Sequence, residues 1–178
     1  MQNCELELEL ELELSAILLH NGPMAGWGLT VLRVAVGLVF IAHGAQTLFG
    51  VFGGAGLAST AARYEQLSLP SAYPLAVLSG VVQFAGGLML FLGAWTRAAA
   101  IALAVGTAAA AWIAHLAHGF FINWALTPGV GHGYEFHFVL IGSCACLALS
   151  GAGELSIDNL LDRSAESALA GRQRIRSM

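Results

Sequence analysis

The sequence contains no lysine and very few charged residues of any kind. Asp, Glu, Lys and Arg make up 10% of its 178 residues, whereas ordinary soluble domains have about 25%. Hydrophobic residues make up 57%, and the mean hydropathy is +0.74. This balance argues against a soluble domain and predicts a single domain embedded in lipid. The chain has neither a basic surface for nucleic acid nor a polybasic membrane patch.

The formal net charge of −4 reflects the N-terminal tract more than the rest of the chain. Five of the eleven carboxylates lie within Glu5–Glu13, in the repeat E-L-E-L-E-L-E-L-E-L. Strict alternation has the period of a strand, and a helix would place like charges four residues apart. The tract also lacks the basic start and the cleavage site of a signal peptide. We expect disorder over residues 1–23, with an edge strand or a partner-binding arm as the alternatives and Met24 as an alternative start.

The three cysteines give no redox signature. Cys144 and Cys146 are spaced C-x-C, rather than C-x-x-C, within an apolar run. We interpret them as small hydrophobic residues, and a redox or metal pair is the alternative. The glycine-rich stretch F-G-V-F-G-G-A-G lacks the G-K-[S/T] ending of a phosphate-binding loop. The chain therefore has no nucleotide motif, and it has no c-type haem motif either.

Long apolar runs dominate the remainder of the chain. A helix needs about 20 residues to cross a bilayer. The runs cover residues 25–48, 74–95, 97–121 and 134–149, the last reaching spanning length only if it extends to residue 153. The link between the second and third runs is so short that they should form an antiparallel hairpin. We predict an all-α fold, a four-helix transmembrane bundle with a long loop between helices 1 and 2. A short interfacial helix is predicted near residues 57–67 of that loop.

The arginines predict the orientation of the bundle. With four spans, one side carries six arginines and the other carries only Arg63; the six are Arg33, Arg97, Arg163, Arg172, Arg174 and Arg176. By the positive-inside rule, both termini should be cytoplasmic in a multi-pass protein of the bacterial inner membrane. We expect Arg33, in the first turns of its span, to snorkel toward the nearer surface.

The same orientation gathers polar residues at the outer ends of the predicted helices. Ionisable groups at the rim of the apolar slab are costly and usually mark a site. The residues concerned come from three helices and are His43, His115, His118, His132, Glu135 and His137. On a helix, His137 points about 200° away from Glu135, so we expect one of the two to face elsewhere.

Several motifs resemble those of the DoxX family. They are L-R-V-A-V-G-L-V-F-I-A-H-G-A-Q-T-L-F-G, then G-G-L-M-L-F-L-G-A-W-T-R, G-Y-E-F and the final G-A-G-E-L-S-I-D. The resemblance covers about residues 29–158 and implies a four-helix integral membrane protein. It also implies a link to quinone-coupled sulfur oxidation or to membrane complexes that handle thiols and oxidative stress. The family usually has lysine where Thr47 stands and glutamate where Gln83 stands, so a step that uses those groups would be lost or altered here.

Two ligand classes suit this polar set, a quinone and a transition metal. The residues that we predict to bind a cofactor are His43, Gln46, Gln83, His115, His118 and Glu135. Imidazoles three apart on a helix can share one metal ion, and the predicted metal ligands are His43, His115, His118 and His132. Each residue also has a structural interpretation, as a histidine bonded to nearby backbone or as a carboxylate favoured at a helix start.

We therefore predict a DoxX-like membrane domain over residues 24–153, followed by a cytoplasmic amphipathic and basic tail over residues 154–178. The predicted function is that of a redox-associated membrane subunit with an outer-leaflet His/Glu pocket for a quinone or a metal. Its expected partners are membrane lipids, other membrane or periplasmic redox proteins, and further copies of itself. The alternative is a non-catalytic anchor or scaffold for partner proteins, and a small-solute transporter would need the chain to dimerise.

Overall fold

A computed structural model describes the backbone of residues 2–176 and the side chains of residues 24–165 and 167. Within this range the chain is all-helical and contains no strand. The helices are α1 (Gln2–Phe49), α2 (Gly56–Gln66), α3 (Ala72–Leu92), α4 (Thr96–Ala110), α5 (Glu135–Ser150) and α6 (Ile157–Arg176). A π-helical turn, Ala111–His115, and a 3-10 turn, Leu116–His118, extend α4.

Glycines allow α1 and α3 to approach each other closely. A Cβ on Gly44 would collide with the backbone of Phe84, and one on Gly87 would lie 2.7 Å from the Ile41 nitrogen. Between helices in lipid there is no hydrophobic drive, so close backbone packing of this kind supplies the contact energy. Gly44 and Gly87 are thus packing surfaces between these two helices.

The turn from α3 to α4 confirms the predicted helical hairpin. Gly93 has φ +70, and its N–H donates to the Leu90 carbonyl while the Ala94 N–H donates to the Met89 carbonyl. This is a Schellman ending, for which glycine is favoured because it adopts a positive φ without steric cost. α4 then begins at Thr96, so α3 and α4 lie side by side.

Side chains from α1, α3, α4 and α5 form one apolar core. Its buried members are Val36, Phe40, Leu90, Ala99, Ala100, Leu103, Leu140, Cys144 and Leu147. Cys144 is thus the buried small residue that the sequence predicts, whereas Cys146 is exposed. Most other large apolar side chains of these helices face outward, as expected for helices surrounded by lipid.

Three helices are long and apolar enough to cross a membrane, and they are Met24–Phe49, Ala72–Leu92 and Thr96–His118. The predicted fourth span corresponds to α5, which has 16 residues and rises about 24 Å. The hydrocarbon core of a bilayer is about 30 Å thick. By length, α5 is therefore a shorter apolar helix, and the chain has three candidate spans within its described part.

The connection between the first and second spans is not a plain loop. Its middle is α2, close to the short helix predicted near residues 57–67. α2 packs on α3, and the Tyr64 hydroxyl lies 3.1 Å from the Ser79 hydroxyl oxygen. The longest connection without a helix is instead the one between the α4 extension and α5, residues 119–134.

At the N-terminus, the structure continues α1 back to Gln2 through the Glu/Leu tract, where the sequence predicts disorder. Leu and Glu are both strong helix formers, a preference that the alternation argument did not weigh. α1 has no break at residue 23, so the predicted domain boundary there stays a prediction. The side chains of residues 2–23, and those of Arg172, Arg174 and Arg176, lie outside the described ones.

Arg33 does not snorkel to the surface as predicted. Only 1% of Arg33 is exposed. Its Nη1 donates to the carbonyls of Leu90, at 2.6 Å, and Phe91, at 2.8 Å, and its Nη2 donates to the Leu155 carbonyl. The last carbonyls of a helix have no partner within that helix, so a guanidinium that binds them is held inward. The positive charge therefore ties α1 to the end of α3.

Asp158 makes the complementary contact at the start of α4. Its two carboxylate oxygens accept hydrogen bonds from the backbone N–H groups of Trp95, at 2.7 Å, and Thr96, at 3.0 Å, and its own N–H donates to the Gly93 carbonyl, at 2.9 Å. A carboxylate at the positive end of a helix dipole is favourable. We call this region, with Arg33 and Asp158, the arginine end of the packed helices.

Candidate functional site

The end of the helices opposite the arginine end carries the histidines. The π-helical turn at the end of α4 contributes His115, and turns of this kind are frequent at functional sites. The Nδ1 of His115 lies 2.9 Å from the backbone carbonyl of His132. Because a carbonyl oxygen can only accept, Nδ1 carries the hydrogen, and in the neutral ring Nε2 is left as an acceptor.

His137, near the start of α5, lies against His115. Their ring centroids are 4.2 Å apart, and the ring planes are inclined by 39°. The Nδ1 atom of His137 is buried and has no hydrogen-bond partner among the described residues. A buried polar atom without a partner is costly and calls for a physical explanation, such as a ligand that binds there.

His43, from α1, lies near His115 and His137, and the ring of Phe136 connects it to them. Its ring stacks on the Phe136 ring at a centroid distance of 6.1 Å, and the Phe136 and His137 centroids are 6.5 Å apart. The Nδ1 of His43 lies 2.9 Å from the Val39 carbonyl, so its Nε2 is the free ring nitrogen. We call His43, His115, Phe136 and His137 the histidine cluster. It brings together side chains from α1, α4 and α5, as predicted from topology.

Glu135 does not join the histidine cluster. One of its carboxylate oxygens accepts a hydrogen bond from the Ile122 N–H at 3.2 Å, and its own N–H donates to the Phe120 carbonyl at 2.8 Å. Gly133 also donates to the Phe121 carbonyl, at 3.1 Å. Glu135, predicted to bind a cofactor, therefore holds the connection between α4 and α5 in this structure.

The remaining predicted residues have other surroundings. Gln46 donates to the Phe52 carbonyl at 3.0 Å and so holds the turn after α1. Gln83 is half-buried, and none of the hydrogen bonds found among the described residues involves its side chain. His118 is exposed and lies across Gly131, where a Cβ would be 2.5 Å from the ring. The side chain of His132 is exposed, and it is the His132 carbonyl that contacts the cluster.

The metal site predicted from His43, His115, His118 and His132 is not assembled in this structure. Among the described residues, no group of three or more His, Cys, Asp or Glu is arranged to hold a metal ion. A metal site needs three or four ligands at fixed distances. Here the Nδ1 atoms of His43 and His115 are bonded to carbonyls, and His118 packs on a neighbouring glycine instead.

His137 is the residue that the sequence analysis left out of its site. Glu135 and His137 point in different directions on α5, as expected, and it is His137 that faces inward. A signal was available, because Leu140, Cys144 and Leu147 follow His137 at helical spacing, and all three are core residues. His137 continues this buried stripe, so its imidazole faces the neighbouring helices.

Two comparisons with known proteins agree on the family. The DoxX family profile matches residues 28–116. This range begins in α1 and continues through α2, α3 and α4 to the end of the π-helical turn. The chain is 31% identical over 153 residues to an uncharacterized membrane protein, Rv3486, of Mycobacterium tuberculosis, and the match covers 83% of this chain and 88% of that protein. No solved structure matches the chain significantly. The chain is therefore a membrane protein that belongs to the DoxX family.

Proposed function

We propose that this DoxX family protein is a redox-associated subunit that binds a quinone at the histidine cluster. The observation that carries the proposal is the buried Nδ1 of His137, which has no hydrogen-bond partner among the described side chains and lies beside His115. A quinone carbonyl is an acceptor for an imidazole N–H, and the ring of Phe136 offers a flat face on which a quinone ring can stack.

The chemistry assigned to the cluster is binding and proton transfer. A quinone takes up two electrons and two protons when it becomes a quinol. The electrons must come from a partner redox protein, because the sequence has no nucleotide motif or c-type haem motif. Histidine side chains are suited to pass on these protons, because each ring has two nitrogens that can donate or accept a hydrogen. His137 would hold one carbonyl oxygen, and the free Nε2 atoms of His43 and His115 would accept or relay protons.

We further propose that α5 completes a four-helix membrane domain, with both termini in the cytoplasm. A span shorter than the bilayer is accommodated by local thinning of the lipid or by flanking residues. Arg33, Arg97 and Arg163 lie near the arginine end, whereas Arg63 lies on α2 at the opposite end. This distribution supports the orientation by the positive-inside rule, and it would direct the histidine cluster toward the outer face of the inner membrane.

The experiment measures the binding of menaquinone-4 and decylubiquinone to the purified protein in lipid nanodiscs. His137→Phe keeps an aromatic ring of similar size but removes the ring nitrogens. Because one buried hydrogen bond contributes about 1 kcal/mol, we expect at least a roughly fivefold loss of affinity. His132→Ala is the matched control, since His132 contacts the cluster through its backbone carbonyl, which alanine retains. Equal affinities of His137→Phe, His115→Phe and the unmodified protein would contradict the proposal.

A scaffold function is the second candidate, and one outward-facing stripe favours it. Ala98, Ala102, Gly106 and Ala110 recur every four residues along α4, and all four are exposed. Stripes of small residues of this kind let a second membrane helix approach closely. A partner protein or another copy of the chain would then pack on this face.

Gly106→Leu tests the scaffold function, because a Cβ at Gly106 meets nothing within 4 Å in this chain. The substitution should release a partner that co-purifies with the unmodified protein while leaving the fold intact. Gly142→Leu on α5 is the control, since a Cβ there also meets nothing within 4 Å. Equal partner recovery with both variants would count against a partner on this face of α4.

A further inference from the structure

A groove at the arginine end has no role in the proposed quinone chemistry. It has a volume of about 780 Å³, within the range of about 300–1,000 Å³ typical of small-molecule sites. Its walls come from the start of the α1 span, the α3–α4 turn, the α5–α6 connection and α6. Its lining residues include Arg97, Gly151, Glu154, Asp158 and Asp162.

Two of the charged side chains in the groove already have partners. Glu154 pairs with Arg163 at 3.4 Å. Asp158 accepts the backbone N–H groups of Trp95 and Thr96. Arg97 and Asp162 have no hydrogen bond or ion pair with any other described residue whose side chain is placed. The groove thus presents one positive and one negative group that can bind a ligand.

Arg97 is placed to receive an anionic group. It is exposed, and its Nη2 and Nε lie 3.6 and 3.8 Å from the position that a Cβ on Gly151 would occupy. The guanidinium therefore lies over a glycine at the end of α5, where no side chain covers it. A guanidinium with its N–H groups free matches the oxygen pairs of a phosphate.

An apolar stripe leads away from Arg97 along the lipid-facing side of α4. Ile101 and Val105 follow at intervals of four residues, and they are 56% and 65% exposed. Residues four apart lie on the same face of a helix. Next to this stripe, at the mouth of the groove, Trp95 is 70% exposed, and exposed indoles are common at membrane interfaces. A ligand held at Arg97 would have a path for acyl chains along this stripe.

We propose that the groove binds the headgroup of a phosphatidylethanolamine-type phospholipid. Its phosphate contacts Arg97, and its primary ammonium donates to the carboxylate of Asp162. The two opposite charges of the groove match the two charges of this zwitterionic headgroup. Phosphatidylglycerol would bring no cation for Asp162, and phosphatidylcholine has no N–H to donate. The acyl chains lie along Ile101 and Val105.

The test is native mass spectrometry of the full chain in detergent, titrated with dioleoyl phosphatidylethanolamine, phosphatidylcholine or phosphatidylglycerol. The unmodified protein should bind phosphatidylethanolamine most tightly. Arg97→Gln should weaken that binding about tenfold, because a charge-assisted contact is lost. Asp162→Asn should abolish the preference over phosphatidylglycerol. Both positions are exposed, so both variants should fold.

Arg63→Gln is the matched control, since Arg63 is an exposed arginine on α2, remote from the groove. It should leave lipid binding unchanged. Equal losses in Arg97→Gln and Arg63→Gln, or an unchanged lipid preference in Asp162→Asn, would overturn the proposal. Displacement of the lipid by millimolar inorganic phosphate would also overturn it, because the groove would then be a simple phosphate site. Loss of a dimer instead of a lipid in Arg97→Gln would identify an interface between copies and overturn it as well.

Discussion

Replacement of Arg33 by methionine should destabilise the fold through the carbonyls that the guanidinium satisfies. Methionine fills a similar volume but donates no hydrogen bond. The Leu90 carbonyl keeps the Gly93 N–H, whereas the carbonyls of Phe91 and Leu155 lose the donor that Arg33 supplies. An unsatisfied buried carbonyl costs about 1–3 kcal/mol. Because the bonds to Phe91 and Leu155 are only part-buried, we take the lower part of that range and expect about 2–4 kcal/mol for the two.

An opposing effect reduces this cost. The buried Nε of Arg33 has no partner among the described residues, and burial of a guanidinium is itself unfavourable. Removal of the charge relieves part of that penalty, so we expect a net loss of about 1–3 kcal/mol in the free energy of unfolding. The free energy of unfolding of Arg33→Lys should lie between those of Arg33→Met and the unmodified protein. An ammonium keeps the charge but lacks the forked N–H groups with which a guanidinium reaches carbonyls of two segments.

The assay is reversible unfolding of the protein in mixed micelles, followed by the loss of helical circular dichroism. Arg63→Met on α2 is the control, and an exposed position of this kind should change stability by no more than about 0.5 kcal/mol. If Arg33→Met proved as stable as the control, the carbonyl contacts would not hold α1 to α3, and the reasoning from burial would be refuted.

Three further predictions concern single contacts. Gly44→Ala should cost about 1–3 kcal/mol in the unfolding assay, because its Cβ would collide with the Phe84 backbone, while Gly28→Ala on the same helix should not destabilise. Asp158→Asn should cost about 1–2 kcal/mol, since the amide keeps one acceptor for the Trp95 and Thr96 N–H groups but loses the charge; an unchanged midpoint would contradict this role. Glu135→Ala should speed protease cleavage within residues 119–134, whereas Glu135→Gln, which still accepts the Ile122 N–H, should resemble the unmodified protein.

The sequence was sufficient to predict the apolar part of α1, the helices α3 and α4, and the end of the fold where the histidines meet. Long apolar runs, the positions of arginines and the short link before Arg97 set the order and direction of α1, α3 and α4, and the structure confirms the hairpin. These features are local, because each depends on a period or a composition within one segment. His43, His115 and His137 share one end for the same reason. Successive helices run in opposite directions, so the position of each histidine along its helix determines the end at which it lies.

The roles of individual polar residues could not be predicted in the same way. Arg33 was assigned to the surface because the sequence does not show that the carbonyls of Leu90, Phe91 and Leu155 converge on it. Glu135 was assigned to the pocket because nothing in its neighbourhood marks the Ile122 N–H as its partner. Arg33 and Glu135 each bind a backbone group that is distant in the sequence, and residue patterns carry no information on such pairs.

The two ends of the packed helices differ in what holds them together, and this difference suits the proposed functions. At the arginine end, charged side chains bind backbone groups of α3, α4 and the α5–α6 connection, so five segments are fixed relative to one another. At the opposite end, α1 and α3 also pack closely at Gly44, but the histidine cluster itself is built on a π-helical turn, stacked rings and a 16-residue connection without a helix that a few hydrogen bonds hold to α5. Elements with few buried contacts open at lower free energy than a core does. The proposed quinone would therefore enter and leave the histidine cluster without disturbing the contacts that keep the helices packed.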